Sequence, residues 1–202
     1  MNRETRSTDT QSSILDAAVD LFIAQGFEST PMDAIANAAG VAKGTLYYHF
    51  DSKEGIVDAI VARYAEEGEA GLAEIASGSA PFVDKLEAVA AVLGELNNRH
   101  FSRLHRMKYI DIHTKTNTVM VKRFARHIAR IVEQGVRDGV CSCASPIGLV
   151  EVLLAAAGTL LDPDAGEEEI PRRRESLAGV AALGLDIDIE AARRMFPEEG
   201  LR

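Results

Sequence analysis

The sequence predicts an all-α protein, and three observations predict it. Apolar residues recur at steps of three and four, as in Phe82, Leu86, Val89, Leu93 and Leu96, the spacing that gathers side chains on one helix face. Strand-like alternation is absent, and aromatic and β-branched clusters are few. Glycine followed by an apolar residue closes the first stripes, at Gly26-Phe27 and Gly40-Val41, a pattern that stops helices.

Element by element, Ile14, Ala18, Leu21 and Phe22 mark a first helix from about Ser12 to Gln25. Thr30-Pro31-Met32-Asp33 then reads as a start signal, with Thr30 as cap, Pro31 at the first helical position and Asp33 as the third-position acid. Met32, Ile35, Ala36 and Ala39 give a short second helix, and a third starts near Ala42 or Lys43. Asp51-Ser52-Lys53-Glu54 opens a fourth, through Ile56, Ile60 and Tyr64 to about Ala76, before "SGSAP" breaks the chain. Phe82 to Leu96 form the next. Val121, Phe124, Ile128 and Ile131 mark another, ending at Gly139. Ser145-Pro146 starts a largely apolar helix to about Leu161, "DPDAGEEE" is a loop, and a long helix from Ile170 to Leu185 precedes a short tail helix.

The spacing of the second and third helices is that of a helix-turn-helix: two short helices joined by a glycine-containing turn. The second helix of such a pair lies in the DNA major groove. In "KGTLYYHFDSKEG", Leu46 and Phe50 are spaced to anchor it to a core. Lys43, Thr45, Tyr47, Tyr48 and His49 then face mostly outward, as donors for phosphate oxygens or base edges. Gly44 removes a side chain where a backbone must come close. Lys53, in the first turn of the fourth helix, opposes the macrodipole unless a phosphate joins it.

The charge balance cuts the other way. The 202 residues carry a formal net charge of −9, which by itself argues against nucleic acid. Residues 1–55 hold 4 Lys/Arg against 8 Asp/Glu, whereas residues 99–137 hold 10 against 2. Base contacts are therefore expected to matter more than bulk attraction.

No run approaches the roughly 20 apolar residues of a bilayer crossing, and "MNRETRSTDTQ" has no apolar signal core. The two cysteines, in "CSC", cannot staple a fold of this size. A cytoplasmic protein without membrane partners is expected.

The stretch "ILDAAVDLFIAQGFESTPMDAIANAAGVAKGTLYYHFDSKEGIVDAI" resembles the N-terminal domain of TetR-family transcriptional regulators over roughly residues 12–60. The resemblance implies a three-helix DNA-binding domain with a helix-turn-helix, over residues 1–55. A helix of about residues 53–76 links it to a helical ligand-binding and dimerisation domain over 56–202. It implies a double-stranded DNA operator, a small-molecule effector, and a homodimer through the helices of about residues 146–161 and 170–185. In that dimer Leu153 and Leu154 are expected in the pairing surface. By position, Thr30 would donate to a phosphate. Lys43, Gly44 and Thr45 would approach base edges, and Tyr47, Tyr48, His49 and Lys53 would clamp the backbone. Where the family often carries a basic residue before the first helix, Ser13 stands here, and Arg3 and Arg6 on a flexible arm are expected to substitute.

The basic segment leaves two readings. Arg103, Arg106, Lys108 or His113 could anchor an anionic effector, or the cations could compensate the acidic "EEGEAGLAE" of the fourth helix at the seam between domains. Compensation is favoured. Cys141 and Cys143, with His100, His105, His113 and His127, lack the second cysteine pair of a zinc site, so no metal and no cofactor is expected. A helical small-molecule-binding protein or enzyme without a DNA role is the alternative. An enzyme would need a catalytic constellation, and the sequence offers no phosphate loop, no His-x-x-x-His and no suitably paired carboxylates.

Overall fold

The computed structural model describes residues 3–107, 109, 111–161 and 167–197. The described chain is helical, in this order: α1 (Arg3–Gln25), α2 (Met32–Ala38), α3 (Lys43–His49), α4 (Lys53–Ser77), α5 (Phe82–Leu96), a π-helical turn (Asn97–Phe101), α6 (Ser102–His105), α7 (Ile112–Arg137), α8 (Pro146–Leu160), a 3-10 turn (Glu167–Glu169), α9 (Ile170–Leu185) and α10 (Ile189–Arg193).

Two ends differ from the sequence reading. The backbone at Arg3 and Arg6 belongs to α1 instead of a flexible arm; the side chains of these two arginines lie outside the described residues. α7 begins at Ile112, well ahead of Val121. Most of the predicted loop "DPDAGEEE" falls outside the described residues.

The chain forms two compact units, and they do not follow a single cut. The first comprises residues 1–63 and 100–115, the second residues 64–99 and 116–202. One boundary between the units, at Arg63/Tyr64, lies within α4. Part of the basic segment also belongs with the helix-turn-helix, because its apolar residues are needed there. Leu104, Met107 and Ile112 are buried, and Met107 O accepts the Phe27 amide at 3.2 Å.

The first unit packs Ile14, Ala18, Phe22, Ile35, Leu46, Ile56 and Ile60 as its core, all inaccessible to solvent. Phe27 stacks on Phe22 and on Tyr109, with centroids 5.2 and 4.3 Å away. Charged clasps tie the helices at the surface: Arg63 to Asp16 at 2.8 Å, Arg103 to Asp20 at 3.0 Å, and Lys115 to Asp58.

In the second unit the amphipathic α5 buries Leu86, Val89 and Leu96, while Phe124, Ile131 and Val132 of α7 are buried with Leu72 of α4. Gly68 permits the close approach of α4: a Cβ there would collide with Leu96 and sit 2.8 Å from Phe124. Lys85, buried despite its charge, donates to Ala76 O at 3.3 Å and Gln134 Oε1 at 3.0 Å, closing the end of α4. α8 and α9 share a cluster of Leu153, Leu177, Ala178 and Ala181.

The acidic stretch of α4 meets the basic α7 as the compensation reading anticipates, but within the second unit and not at a seam. Glu69 is bonded by Arg123 at 2.6 Å and by Arg126, and Glu66 lies 3.5 Å from Arg123.

Candidate nucleic-acid interface

Local chemistry sets the turn of the helix-turn-helix. Past the end of α2, Gly40 adopts φ +68°, a left-handed conformation that glycine enters without a Cβ clash. The Val41 amide then reaches back to Ala36 O at 3.0 Å, the six-to-one bond that closes such helix ends. Four residues separate α2 from α3, which begins at Lys43. Burial of Leu46 and Phe50 turns α3 so that its other side faces solvent.

That outer face carries Lys43, Gly44, Tyr47 and Tyr48, all exposed, with Thr45 and His49 half-buried beside them. Tyr48 is 84% exposed and Tyr47 43%. Tyr48 and His49 meet edge to face with centroids 5.3 Å apart. Gly44 points the same way. A Cβ there would meet nothing within 4 Å, yet glycine inside a helix costs about 1 kcal/mol relative to alanine. Its smallness answers no need of the chain's own packing. Lys43 Nζ is held 2.9 Å from Asp33 Oδ2 of α2, and that carboxylate raises its pKa. Asp33 thus aims the lysine besides serving the first turn of α2.

Two of the sequence-derived contacts turn inward. Thr30 is fully buried; its hydroxyl donates to Gly26 O at 2.8 Å and accepts from Gln25 Nε2 at 3.1 Å. The proton expected for a phosphate is already used at the end of α1. The cap position belongs to Pro31, with extended backbone and no side-chain bond. Lys53 Nζ donates to Phe27 O at 2.7 Å and Glu28 O at 3.1 Å, and stands 4.6 Å over the Phe27 ring. Carbonyls of the α1–α2 turn take the place of the expected phosphate. Ser52 supports the same corner by accepting the Gly55 amide at 3.1 Å, so α4 is capped one residue later than Asp51.

The effector candidates are not gathered in the second unit. Arg103, Arg106 and His113 all belong to the first. Arg103 is paired with Asp20, and Arg106 and His113 are exposed; Lys108 lies outside the described residues. Among the described residues no three His, Cys, Asp or Glu side chains gather as a metal site requires. Cys141 is buried with Sγ 3.7 Å from Val132 O, and burial raises its thiol pKa. Sequence reasoning missed Gln25 and the pairing of Asp20, whose partners compete with a simpler role or are remote in the chain.

Against this geometry stand the relationships to known proteins. Residues 14–60 match the profile described as "Bacterial regulatory proteins, tetR family". The regulator UidR of Escherichia coli K12 is 36% identical over 95 residues, 46% of this chain and 48% of its own length. The repressor KstR2 of Rhodococcus jostii is 31% identical over 142 residues, 64% of this chain and 66% of its own. The chain therefore spans about half the length of UidR. The solved structure of RolR with resorcinol superposes with a TM-score of 0.67 at 14% identity, covering 99% of this chain and 100% of that one. The likeness to RolR is one of fold. With the sequence match falling on the helices that build the exposed face of α3, the chain belongs to the TetR family of bacterial regulatory proteins.

Proposed function

We propose that this chain is a sequence-specific DNA-binding transcriptional regulator of the cytoplasm, a repressor that leaves its operator when a small molecule binds the second unit. The observation that carries the reading is the outer face of α3: two exposed tyrosines, an oriented lysine and a glycine whose missing Cβ leaves open space. Lys43, Gly44 and Thr45 would read base edges, and Tyr47, Tyr48 and His49 the sugar-phosphate backbone. Thr30 and Lys53 would act one step behind, fixing the corner from which α3 projects. The name of KstR2 as a repressor and the resorcinol complex of RolR support repression and release by an effector.

Selection of bound duplexes from a random pool tests this directly. A single recovered motif with two half-sites is expected, and recovery of unrelated sequences would refute specific recognition. On that motif Tyr48→Ala should weaken binding at least about tenfold, the scale of a lost backbone contact, while the melting temperature stays unchanged. Gly44→Ala should move the two properties apart: the helix gains up to about 1 kcal/mol, and DNA affinity falls because the Cβ enters the contact.

A homodimer through α8 and α9 belongs to the same proposal. Val152 and Leu183 are 60% and 87% exposed, apolar side chains on the two helices. Leu153 is unsuited as an interface probe, since it is buried in the cluster that joins α8 to α9. Val152→Glu with Leu183→Glu should sediment as a monomer with its helicity intact; a persisting dimer would place the interface elsewhere.

A further inference from the structure

Two buried polar atoms of α7 have no hydrogen-bond partner among the described residues, Thr116 Oγ1 and His127 Nδ1. Thr116 is 7% exposed and His127 8%. Native proteins leave few such groups unmet, because each loses its hydration and gains nothing in return. Both lie on α7. Eleven residues make about three full turns, so the two share one helix face roughly 16 Å apart along the axis. Met120, buried on the same stripe, has a side chain that adapts to what packs against it.

The His127 ring is fixed at one nitrogen and bare at the other. Its Nε2 lies 3.2 Å from Glu69 Oε1 and 3.3 Å from Arg126 Nε, and Glu69 is itself clamped by Arg123. With the proton on Nε2, that atom donates to Glu69 and Nδ1 accepts; with the proton on Nδ1, Nε2 accepts from Arg126 and Nδ1 donates. A ligand hydroxyl satisfies either form, as it does the Thr116 hydroxyl. Of the neighbouring cations, Arg123 is engaged by Glu66 and Glu69 and Arg126 by Glu69, while Arg130 is exposed. Burial, then Arg126 and Arg130, hold the His127 pKa below its ordinary value, so the ring itself is neutral.

We propose that Thr116 and His127 are the two polar ends of a binding site for an uncharged, elongated, mainly apolar molecule with a hydroxyl or carbonyl oxygen at each end. The inference rests on the effector-responsive reading above and names the chemical class of the effector. It differs from the anionic ligand that Arg103, Arg106, Lys108 or His113 could anchor, the less favoured reading of the basic segment.

The test uses the full chain and the α,ω-diol of dodecane, whose extended length suits the separation, followed by titration calorimetry. The α,ω-diol of hexane and dodecanoate serve as controls for length and charge. Thr116→Val and His127→Phe remove the polar atoms while keeping bulk; His127→Asn keeps a polar atom near the position of Nδ1. The long diol should bind, with both controls weaker by about tenfold or more, the charged one because it must be desolvated unpaired. Each shape-preserving variant should weaken the long diol about tenfold, the value of one hydrogen bond, and His127→Asn should restore most of it. Without ligand, Thr116→Val and His127→Phe should melt no lower than the parent. No saturable binding of the long diol, or binding unchanged in either Thr116→Val or His127→Phe, overturns the proposal; should His127→Phe fail to fold, Thr116→Val decides alone. Binding to the selected DNA is measured on the same preparations. DNA bound without diol sinks only this site, and diol bound without DNA sinks only the regulator reading.

Discussion

The outer face of α3 and the stripe of α7 that meets Glu69 both crowd polar side chains into a short stretch, and they use them in opposite ways. On α7 Arg123 and Arg126 are engaged inside the chain, converging on one carboxylate. On α3 the aromatic rings stand in solvent, and the one charged pair, Lys43 with Asp33, is itself exposed. The segment richest in cations is thus largely an internal matter, while the less charged helix meets the outside. Charge density alone does not mark a binding surface; donors left facing outward on a rigid support do.

The largest effect that sharpens this contrast comes from the support. Leu46 is the buried anchor of α3, and Leu46→Ala should cost about 2–5 kcal/mol. Urea unfolding followed by circular dichroism reads the loss, and DNA binding should fall with it. A stable variant would mean that α3 is not held by its inner face.

A smaller effect separates Lys53 from its neighbours on α3. Losing two bonds to turn carbonyls, Lys53→Met should destabilise the protein by about 1–2 kcal/mol, whereas Tyr48→Ala should not. Equal stability with weakened DNA binding would return Lys53 to the phosphate contacts.

The smallest effect belongs to α7. The pKa of His127 is lowered in the folded chain, so below about pH 6.5 the unfolded chain takes up a proton that the folded one refuses. Stability should therefore decline as pH falls from 6.5 towards the folded pKa, and His127→Phe should flatten that decline in melts between pH 7 and 5. A decline of the same size in both proteins would show that His127 carries its ordinary affinity for protons.

Much of the architecture was legible because its signals are local. The Gly40-Val41 stop, the Leu46–Phe50 spacing and the Pro146 start each lie within a few residues of the boundary they set, and α2, α3 and α8 fall where those signals put them. The candidate site was half legible. Outward Tyr47 and Tyr48 follow from the two inward anchors. The bonds of Lys53 were not legible because its carbonyl partners are 25 and 26 positions away, nor that of Arg103, because Asp20 is 83 away. The bond of Thr30 was hidden for another reason. Its partner is only four residues back, but a threonine before a helix has two local uses, and Pro31 in the cap position left it the other one.

Because α3 is fixed by Leu46 and Phe50 while positions 43, 44, 47 and 48 are exposed, its outer face would, under the proposed function, behave as an exchangeable cassette. Substitutions there would then retarget the protein to new sequences with little change in foldedness. Gene duplication followed by drift at those few codons would be enough to yield sister proteins with separate targets.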